Sequence, residues 1–449
     1  MAAFLTVDEG FEWIEKLTNF EKRPPTVIRE YRLDRMKILF ELFSNPHLGV
    51  PSVHIAGSKG KGSCAYMIAG ILKEAGITAG LYTSPHILHY RERFLVDMEP
   101  ADDVILLDAI NEIYDSVSDA VLPVHGAPTT FEILTLLAFL VFQRMGCKIN
   151  VIETGLGGRL DATNLVDPVL SVITSIELEH TNILGNTLKQ IAAEKGGIIK
   201  KGKRVISSSQ EPEAYETLVH IAAEKHADLT FITSCYTAAA DGRFVLETDG
   251  ERFSFRQPER LPGRAQNENA AVSALAGIRL LKDIFPERKL DEIIGVIGSA
   301  LAAASIPGRF ERYTAGDTDV IIDGAHTKSS LSQIMEVVKN AYDGSRSCLF
   351  GMVDGKDISS GVSLVLNTFG CVCVTKPGTF KKSDTELLFS CMMEYADHNK
   401  IRIFKEIDAV RGFDLLLKER PSLICVTGSF YLAGIIKKLC IERGYEHAD

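Results

Sequence analysis

The chain has 449 residues, 46% of them hydrophobic and 24% charged, and its 49 Lys and Arg against 59 Asp and Glu leave a formal net charge of −10. Such a composition supplies a sizeable core and excludes a disordered chain, a collagen-like repeat and a disulfide-stapled miniprotein; at roughly 100–200 residues per domain it predicts two to four domains, two being the economical number. The acidic balance argues against a general nucleic-acid partner, which needs a basic face, but leaves room for a local basic pocket around an anionic substrate.

Nine cysteines, an odd number with no C-x-x-C pair, point to a reducing compartment. Cys371 and Cys373 are spaced to put both thiols on one face of a strand. Met1 to Glu12 lacks a charged region followed by an apolar run, and the longest apolar stretch, Ile133 to Phe142, is too short to span a bilayer. A soluble, cytoplasmic chain with no membrane partner is expected, with a monomer as the simplest state.

In chain order, Val53 to Ala56 reads as a buried strand, followed by a glycine-rich turn and a helical pattern from Cys64 to Ala75 that Gly76 can stop. Ala79 to Tyr82, Ile149 to Glu153 and Val169 to Ile176 read as further strands. This alternation predicts a mainly parallel sheet with helices on both faces. Residues 227–260 alternate polar and apolar, and Asp241-Gly242 and Asp249-Gly250 are hairpin signals, so a small antiparallel element should decorate this domain. A second alternating set follows Pro307-Gly308: Val320 to Ile322, Cys348 to Val353, Cys371 to Val374 and Leu423 to Val426. The expected fold is therefore α/β in two domains: residues 1–303, like a P-loop NTPase, and residues 304–449, a smaller Rossmann-like unit.

The strongest chemical signal is Gly57-Ser58-Lys59-Gly60-Lys61-Gly62-Ser63, between a strand and a helix. Glycines let backbone N–H groups turn toward an anion, and the helix N-terminus adds a positive end. Lys61 supplies a point charge for the outer phosphates, and Ser63 can reach a phosphate or its Mg²⁺. Gly62 separates Lys61 from Ser63, so the spacing is a variant of the standard phosphate loop.

This loop resembles the signature of folylpolyglutamate synthase and dihydrofolate synthase, a family of the Mur ligase superfamily, with Ser58 where Thr and Lys59 where Asn is frequent. Further blocks in family order carry the same resemblance: Thr83-Ser84-Pro85-His86 with Glu92-Arg93; Glu153-Thr154-Gly155-Leu156-Gly157-Gly158-Arg159-Leu160-Asp161-Ala162-Thr163-Asn164; His180 with Leu184-Gly185; Ile191 to Lys195; Pro307-Gly308-Arg309; Asp323-Gly324-Ala325-His326; and Thr427 to Leu432.

The resemblance implies ATP-dependent amide formation. A carboxylate attacks the γ-phosphate to give an acyl phosphate and ADP, and the α-amine of L-glutamate then displaces phosphate. Such chemistry needs charge neutralisation, positioning and exclusion of water rather than a protein nucleophile. By resemblance, Ser84, Glu153 and His180 ligate Mg²⁺. Lys195 becomes carbamylated and so could serve a second divalent or monovalent cation. Arg309, Asp323 and Asn269 join the phosphate loop in holding the nucleotide. His326, Ser429 and Tyr431 face the glutamate, with Lys61, Lys195 and His326 as the catalytic set. Each residue also has a plainer structural account: Glu153 as a strand-end cap, Lys195 as a solvated lysine, Asn269 as a helix cap, Ser429 and Tyr431 as a turn with a packed ring.

The folate or dihydropteroate is expected on the first domain, between Thr129-Thr130-Phe131-Glu132 and the stretch through Arg159, Leu160, Asp161 and Ala162. Phe131 could stack on a flat heterocycle, although Thr129 to Glu132 also reads as a helix start. Arg93, Arg159 and Lys356 are candidates for a polyanionic folyl chain. Four positions depart from the family pattern: Lys59, Glu179 where Asp is usual, Ala265 where His is usual, and Thr327 where Asn is usual. Because each domain would carry part of the ATP site, a swivel near Ala303 to Pro307 is expected. The nearest alternative is another Mur-type ligase acting on a cell-wall precursor, against which the Glu153 to Asn164 stretch argues.

Overall fold

The computed structural model describes residues 3–21, 33–117, 126–239, 242–248, 250–354, 357–378, 382–396 and 400–447. Asp241, Asp249 and Lys356 lie outside them. The chain divides into two compact units, Met1–Pro258 with Gln266–Ala304, and Glu259–Ala265 with Ser305–Asp449. The division after Ala304 falls one residue beyond the expected cut, and the short segment 259–265 groups with the second unit, which no composition shift announces.

The first unit is built on an eight-stranded sheet. From one edge the strands are Glu99–Pro100, Phe94–Val96, Ala79–Tyr82, Ile149–Glu153, Ser52–Ala56, Leu170–Ile173, Arg204–Ser207 and Asp228–Phe231. The six from Ala79–Tyr82 onward run parallel, and the other two are antiparallel. Ser52–Ala56 is central and buried along its length, as an apolar strand covered on both faces must be. Its neighbours are the strands that follow it fourth and fifth in this sheet, so the order reverses around it and opens a binding crevice at its C-terminal end. The helix after the phosphate loop, Lys61–Glu74, starts three residues earlier than the periodicity predicted, because Gly60 serves as its left-handed N-cap. The apolar run at 133–142 lies within the helix Thr130–Arg144, all of its residues buried, in a core with Tyr82, Phe94 and Ile152. A three-stranded antiparallel sheet, Tyr236–Ala238, Arg243–Thr248 and Glu251–Arg256, supplies the expected decoration, with Gly242 and Gly250 in left-handed turn conformations. Among the described residues no helix is long and apolar enough to cross a membrane.

The second unit carries a seven-stranded sheet with five parallel strands, ordered Arg402–Lys405, Cys371–Val374, Arg346–Phe350, Leu423–Thr427 and Thr318–Ile322, followed by antiparallel Glu311–Ala315 and Glu446–His447. Separate cores pack on its two faces. Cys371 and Cys373 pack into the same one, as their spacing predicted.

The start of the helix Thr130–Arg144 is held from within. Thr129 is its N-cap in a capping box with Glu132, and the Thr130 hydroxyl donates to the Ile14 carbonyl at 2.9 Å. Glu132 is buried and accepts the Arg35 Nε–H at 3.0 and 2.7 Å on its two oxygens. Breaking a buried ion pair leaves an uncompensated charge, so Arg35→Leu should lower the unfolding free energy by about 3 kcal/mol in urea denaturation. A loss below about 1 kcal/mol would show that the pair does not anchor this helix.

Candidate active site

At the end of the Ser52–Ala56 strand the chain turns through the phosphate loop. Gly60 adopts φ +88°, and a Cβ there would stand 2.4 Å from Asn269 Oδ1, so only glycine fits. The Ser58 and Lys59 N–H groups donate to the Ser175 carbonyl at 2.8 and 3.2 Å, and the Ser58 hydroxyl donates to the Glu177 carbonyl at 3.1 Å. These two residues therefore tie the loop to the segment after Leu170–Ile173. The N–H groups of Lys61, Gly62 and Ser63, as the first turn of a helix, have no intrahelical acceptor and are available to an anion. Asn269 supports the loop from behind, its amide donating to Gln266 at 3.0 Å and its carbonyl accepting from the Ser273 hydroxyl at 2.7 Å.

The Gly57 carbonyl is a shared acceptor for two ammonium groups, Lys61 Nζ at 3.1 Å and Lys195 Nζ at 2.8 Å. Lys195 is 1% exposed, near the C-terminal end of the helix Leu188–Gly196, and pairs with Glu179 Oε1 at 2.9 Å. Burial lowers the Lys195 ammonium to about 8; Glu179 resists the shift, and Lys61 and Lys59 add to it. Burial pushes the Glu179 carboxyl up, but Lys195 and Lys61 outweigh it and bring it down to about 2. The solvated-lysine account of Lys195 is thus ruled out by its burial. Glu179, which the sequence marked only as a departure, is its counter-charge.

Glu153 ends its strand buried, accepts the Ser84 N–H at 3.1 Å, and brings its Oε2 to 3.6 Å from where a Cβ on Gly62 would stand. Two of the three expected metal-ligating residues, Ser84 and Glu153, therefore meet beside the phosphate loop. His180 follows Glu179 and holds a left-handed conformation at φ +46°, a strained state that an imidazole adopts only when its surroundings impose it. Among the described residues no cluster of three or more His, Cys, Asp or Glu is arranged to hold a metal by itself. One carboxylate and a serine fit Mg²⁺, which takes few protein ligands and completes its shell with phosphate oxygens and water.

The stretch after Glu153 closes on itself. Asp161 accepts the N–H groups of Leu156 and Thr163 and the Thr163 hydroxyl, and burial raises its carboxyl above the usual range. Arg159 pairs with Glu194 at 2.8 Å, Leu160 is half-buried, and Ala162 packs into the core. Across from them, Thr129, Thr130 and Glu132 spend their polar groups on the helix start, leaving Phe131, whose ring lies against Gly155, as the residue of that group that faces the loop. Arg93 is buried and forks onto Glu21 at 2.8 and 2.7 Å while its Nε–H donates to His86 Nδ1 at 2.9 Å. Its charge is therefore neutralised internally, contrary to its expected part in binding a folyl chain.

In the second unit, three loops meet at the ends of Thr318–Ile322 and Leu423–Thr427. Asp323 accepts the Phe310 N–H at 2.9 Å and the Ala325 N–H at 2.8 Å; burial raises its carboxyl, and nearby Arg309 moderates the rise. The Arg309 guanidinium lies 4.5 Å over the Phe430 ring, and His326 meets the same ring edge-on at 5.8 Å while its Nδ1 is 2.8 Å from the Gly324 carbonyl. Thr327 caps the helix Lys328–Ala341, accepting the Ser330 N–H on its side chain, a role that Asn can also fill. Ser429 caps the helix Phe430–Glu442 by accepting the Tyr431 N–H at 3.1 Å. Two supports were not singled out in the sequence. Phe430 is the platform for Arg309 and His326. Glu311, buried, accepts the Gly308 N–H at 2.9 Å and pairs with Lys437 at 2.8 Å, holding the backbone that precedes Arg309. The alternation of a strand starting at Glu311 would have placed that carboxylate inward.

A family model described as the Mur ligase middle domain matches residues 55–277, which sets the class as that of the Mur-type ligases. The chain is 35% identical to the dihydrofolate synthase/folylpolyglutamate synthase of Bacillus subtilis over 97% of its own length and 99% of that protein's. It is 30% identical to the folylpolyglutamate synthase of Lacticaseibacillus casei over 90% of this chain and 93% of the relative. A crystal structure of Mycobacterium tuberculosis folylpolyglutamate synthase complexed with ADP and AMPPCP superposes with a TM-score of 0.82 at 26% identity, covering 96% of this chain and 98% of the other. The chain belongs to the dihydrofolate synthase/folylpolyglutamate synthase family.

The Lys195–Glu179 pair carries a pH signature. Lys195 binds its proton more weakly folded, near pH 8, than unfolded, near 10.5, so its burden is full below pH 8 and is relieved as pH rises from there toward 10.5. In CO₂-free buffer, wild type should gain about 1–2 kcal/mol relative to Lys195→Met between pH 7.5 and 9.5. Parallel urea-unfolding curves at the two pH values would overturn the assignment.

Proposed function

We propose that this chain is an ATP-dependent ligase that adds L-glutamate to a folate, with an acyl phosphate as intermediate. The observation that carries the reading is the pair of ammonium groups on the Gly57 carbonyl, one on the phosphate loop and one buried behind it. Its close relatives are named for glutamate addition to folates, and the solved neighbour holds ADP and an ATP analogue.

In this reading Lys61 and the N–H groups of Gly62 and Ser63 receive the phosphates, with Gly57 to Gly60 shaping the loop and Asn269 supporting it. Arg309 adds a bidentate fork and Asp323 sets the loop beside it. Ser84, Glu153 and His180 would hold Mg²⁺, which supplies charge neutralisation on phosphate oxygens. The folate carboxylate attacks the γ-phosphorus, the bond to the bridging oxygen breaks, and ADP leaves. The glutamate amine, placed by His326, Ser429 and Tyr431, attacks the acyl carbon and phosphate departs with the electron pair. Phe131, Arg159, Leu160, Asp161 and Ala162 border the folate.

Lys195 fits carbamylation, because CO₂ reacts only with a neutral amine. With a value near 8, about a quarter of the amine is neutral at pH 7.5, against about 0.1% for an ordinary lysine. Carbamylation puts an anion beside Glu179, and the charges of Lys61 and Lys59 offset part of that repulsion.

Glutamate-dependent phosphate release, measured side by side with tetrahydrofolate, dihydropteroate and a cell-wall precursor, tests the reading. Release with tetrahydrofolate is expected, and release with dihydropteroate would add dihydrofolate synthesis to the same site. Glu153→Gln should reduce turnover by at least about 10²-fold. ATP hydrolysis indifferent to all three acceptors, or dependent on the cell-wall precursor alone, would overturn the reading. Incubation with ¹³C-bicarbonate should give a carbamate carbon signal in wild type that Lys195→Met lacks; equal signals in both would exclude Lys195 as its carrier.

A further inference from the structure

His54 lies mid-strand in Ser52–Ala56, fully buried, and takes no part in the phosphate loop or the lysine pair. Its Nε2 is 2.8 Å from Thr163 Oγ1. Thr163 Oγ1 is in turn 2.5 Å from Asp161 Oδ1, which also accepts the Thr163 N–H at 3.0 Å, while Asp161 Oδ2 accepts the Leu156 N–H at 2.9 Å.

The direction of each bond follows from proton count. A carboxylate only accepts, so the single hydroxyl proton of Thr163 points to Asp161 and its oxygen is left with lone pairs. Nε2 must then carry the imidazole proton and donate it. Burial, helped by the charge of Lys200, lowers the imidazole to about 3 and keeps it neutral. The remaining lone pair sits on Nδ1, buried with no hydrogen-bond partner. An orphaned buried acceptor destabilises a fold in a way an apolar side chain would not. What histidine contributes at this position is therefore the bond to Thr163.

That bond ends on a loop near the reacting groups. The Arg159 N–H donates to the Glu194 carbonyl at 2.7 Å, and a Cβ on Gly158 would stand 2.8 Å from the Glu194 and Lys195 carbonyls. The loop from Gly155 to Thr163 is thus pinned at its middle to the lysine helix and at its Thr163 end to the central strand through His54.

We propose that His54 is a positioning residue for substrate: through Thr163 and Asp161 it sets the conformation of the 155–163 loop, and so the affinity for the folate, without touching it. This rests on the reading that the folate lies along Arg159 to Ala162. The nucleotide is held by the phosphate loop, whose contacts His54 does not share, so the two substrates should respond differently.

The test is a set of variants assayed by glutamate-dependent phosphate release with tetrahydrofolate and ATP varied in turn. His54→Leu and Thr163→Val should each raise the KM for tetrahydrofolate about tenfold and leave the KM for ATP within about twofold. The double variant should be no worse than the poorer single one. His54→Gln, whose amide nitrogen reaches the place of Nε2, should restore the folate KM to within about threefold, and His54→Asn, which is too short, should not. Thr163→Val and His54→Gln keep the test decisive if His54→Leu does not fold. Folate KM values unchanged in Thr163→Val, folate and ATP KM values rising together, or His54→Gln performing no better than His54→Asn would each overturn the proposal. Wild type without folate-dependent turnover would overturn the functional reading and this role with it; an active wild type with unshifted variants would overturn the role of His54 alone.

Discussion

Two ammonium groups on one backbone carbonyl are the constraint around which the first unit is arranged. Lys61 and Lys195 both donate to Gly57, and like charges at that separation repel strongly in a buried setting. Glu179 offsets part of the repulsion by pairing with Lys195, while burial, with Lys61 and Lys59 adding to it, lowers the affinity of Lys195 for its proton. The arrangement is costly for an isolated protein and suited to one that receives a polyphosphate. The glycine loop contributes the Gly57 carbonyl, the helix Lys61–Glu74 contributes Lys61, and the helix Leu188–Gly196 contributes Lys195.

Against that background the acidic net charge acquires a location. Lys59, Lys61 and Lys195 gather positive charge at the phosphate loop, whereas Arg35, Arg93 and Arg159 are each paired with a carboxylate. Arg35 anchors Glu132, Arg93 anchors Glu21, and Arg159 anchors Glu194. Guanidinium forks serve here as braces for loops and helix starts, a use favoured by their planar, bidentate geometry.

The second unit solves a similar problem with an aromatic ring and a carboxylate. Phe430 carries Arg309 on its face and His326 on its edge, and Glu311 fixes the backbone ahead of Arg309. The capping residues Thr327 and Ser429 begin the two helices that follow, so that each loop is held at both ends.

The strands and their order of types were legible because buried strands are short apolar runs bounded by glycine, and Ile149–Glu153 and Cys371–Val374 coincide with their predicted limits. The sequence by itself determined the α/β class, the phosphate loop, the family blocks and the acidic residue at a strand end, since each depends on residues adjacent in the chain. Only the tertiary structure decided which of those residues are spent on one another. Thr129, Thr130 and Glu132 turned out to be committed to a helix start, Arg93 to Glu21, and Lys195 to Glu179 and Gly57. His54 acquired its partner Thr163 from 109 positions away. Such pairings are invisible in a linear pattern, because the energy of a buried polar group is set by whichever donor or acceptor the fold brings within about 3 Å of it, not by its neighbours in sequence.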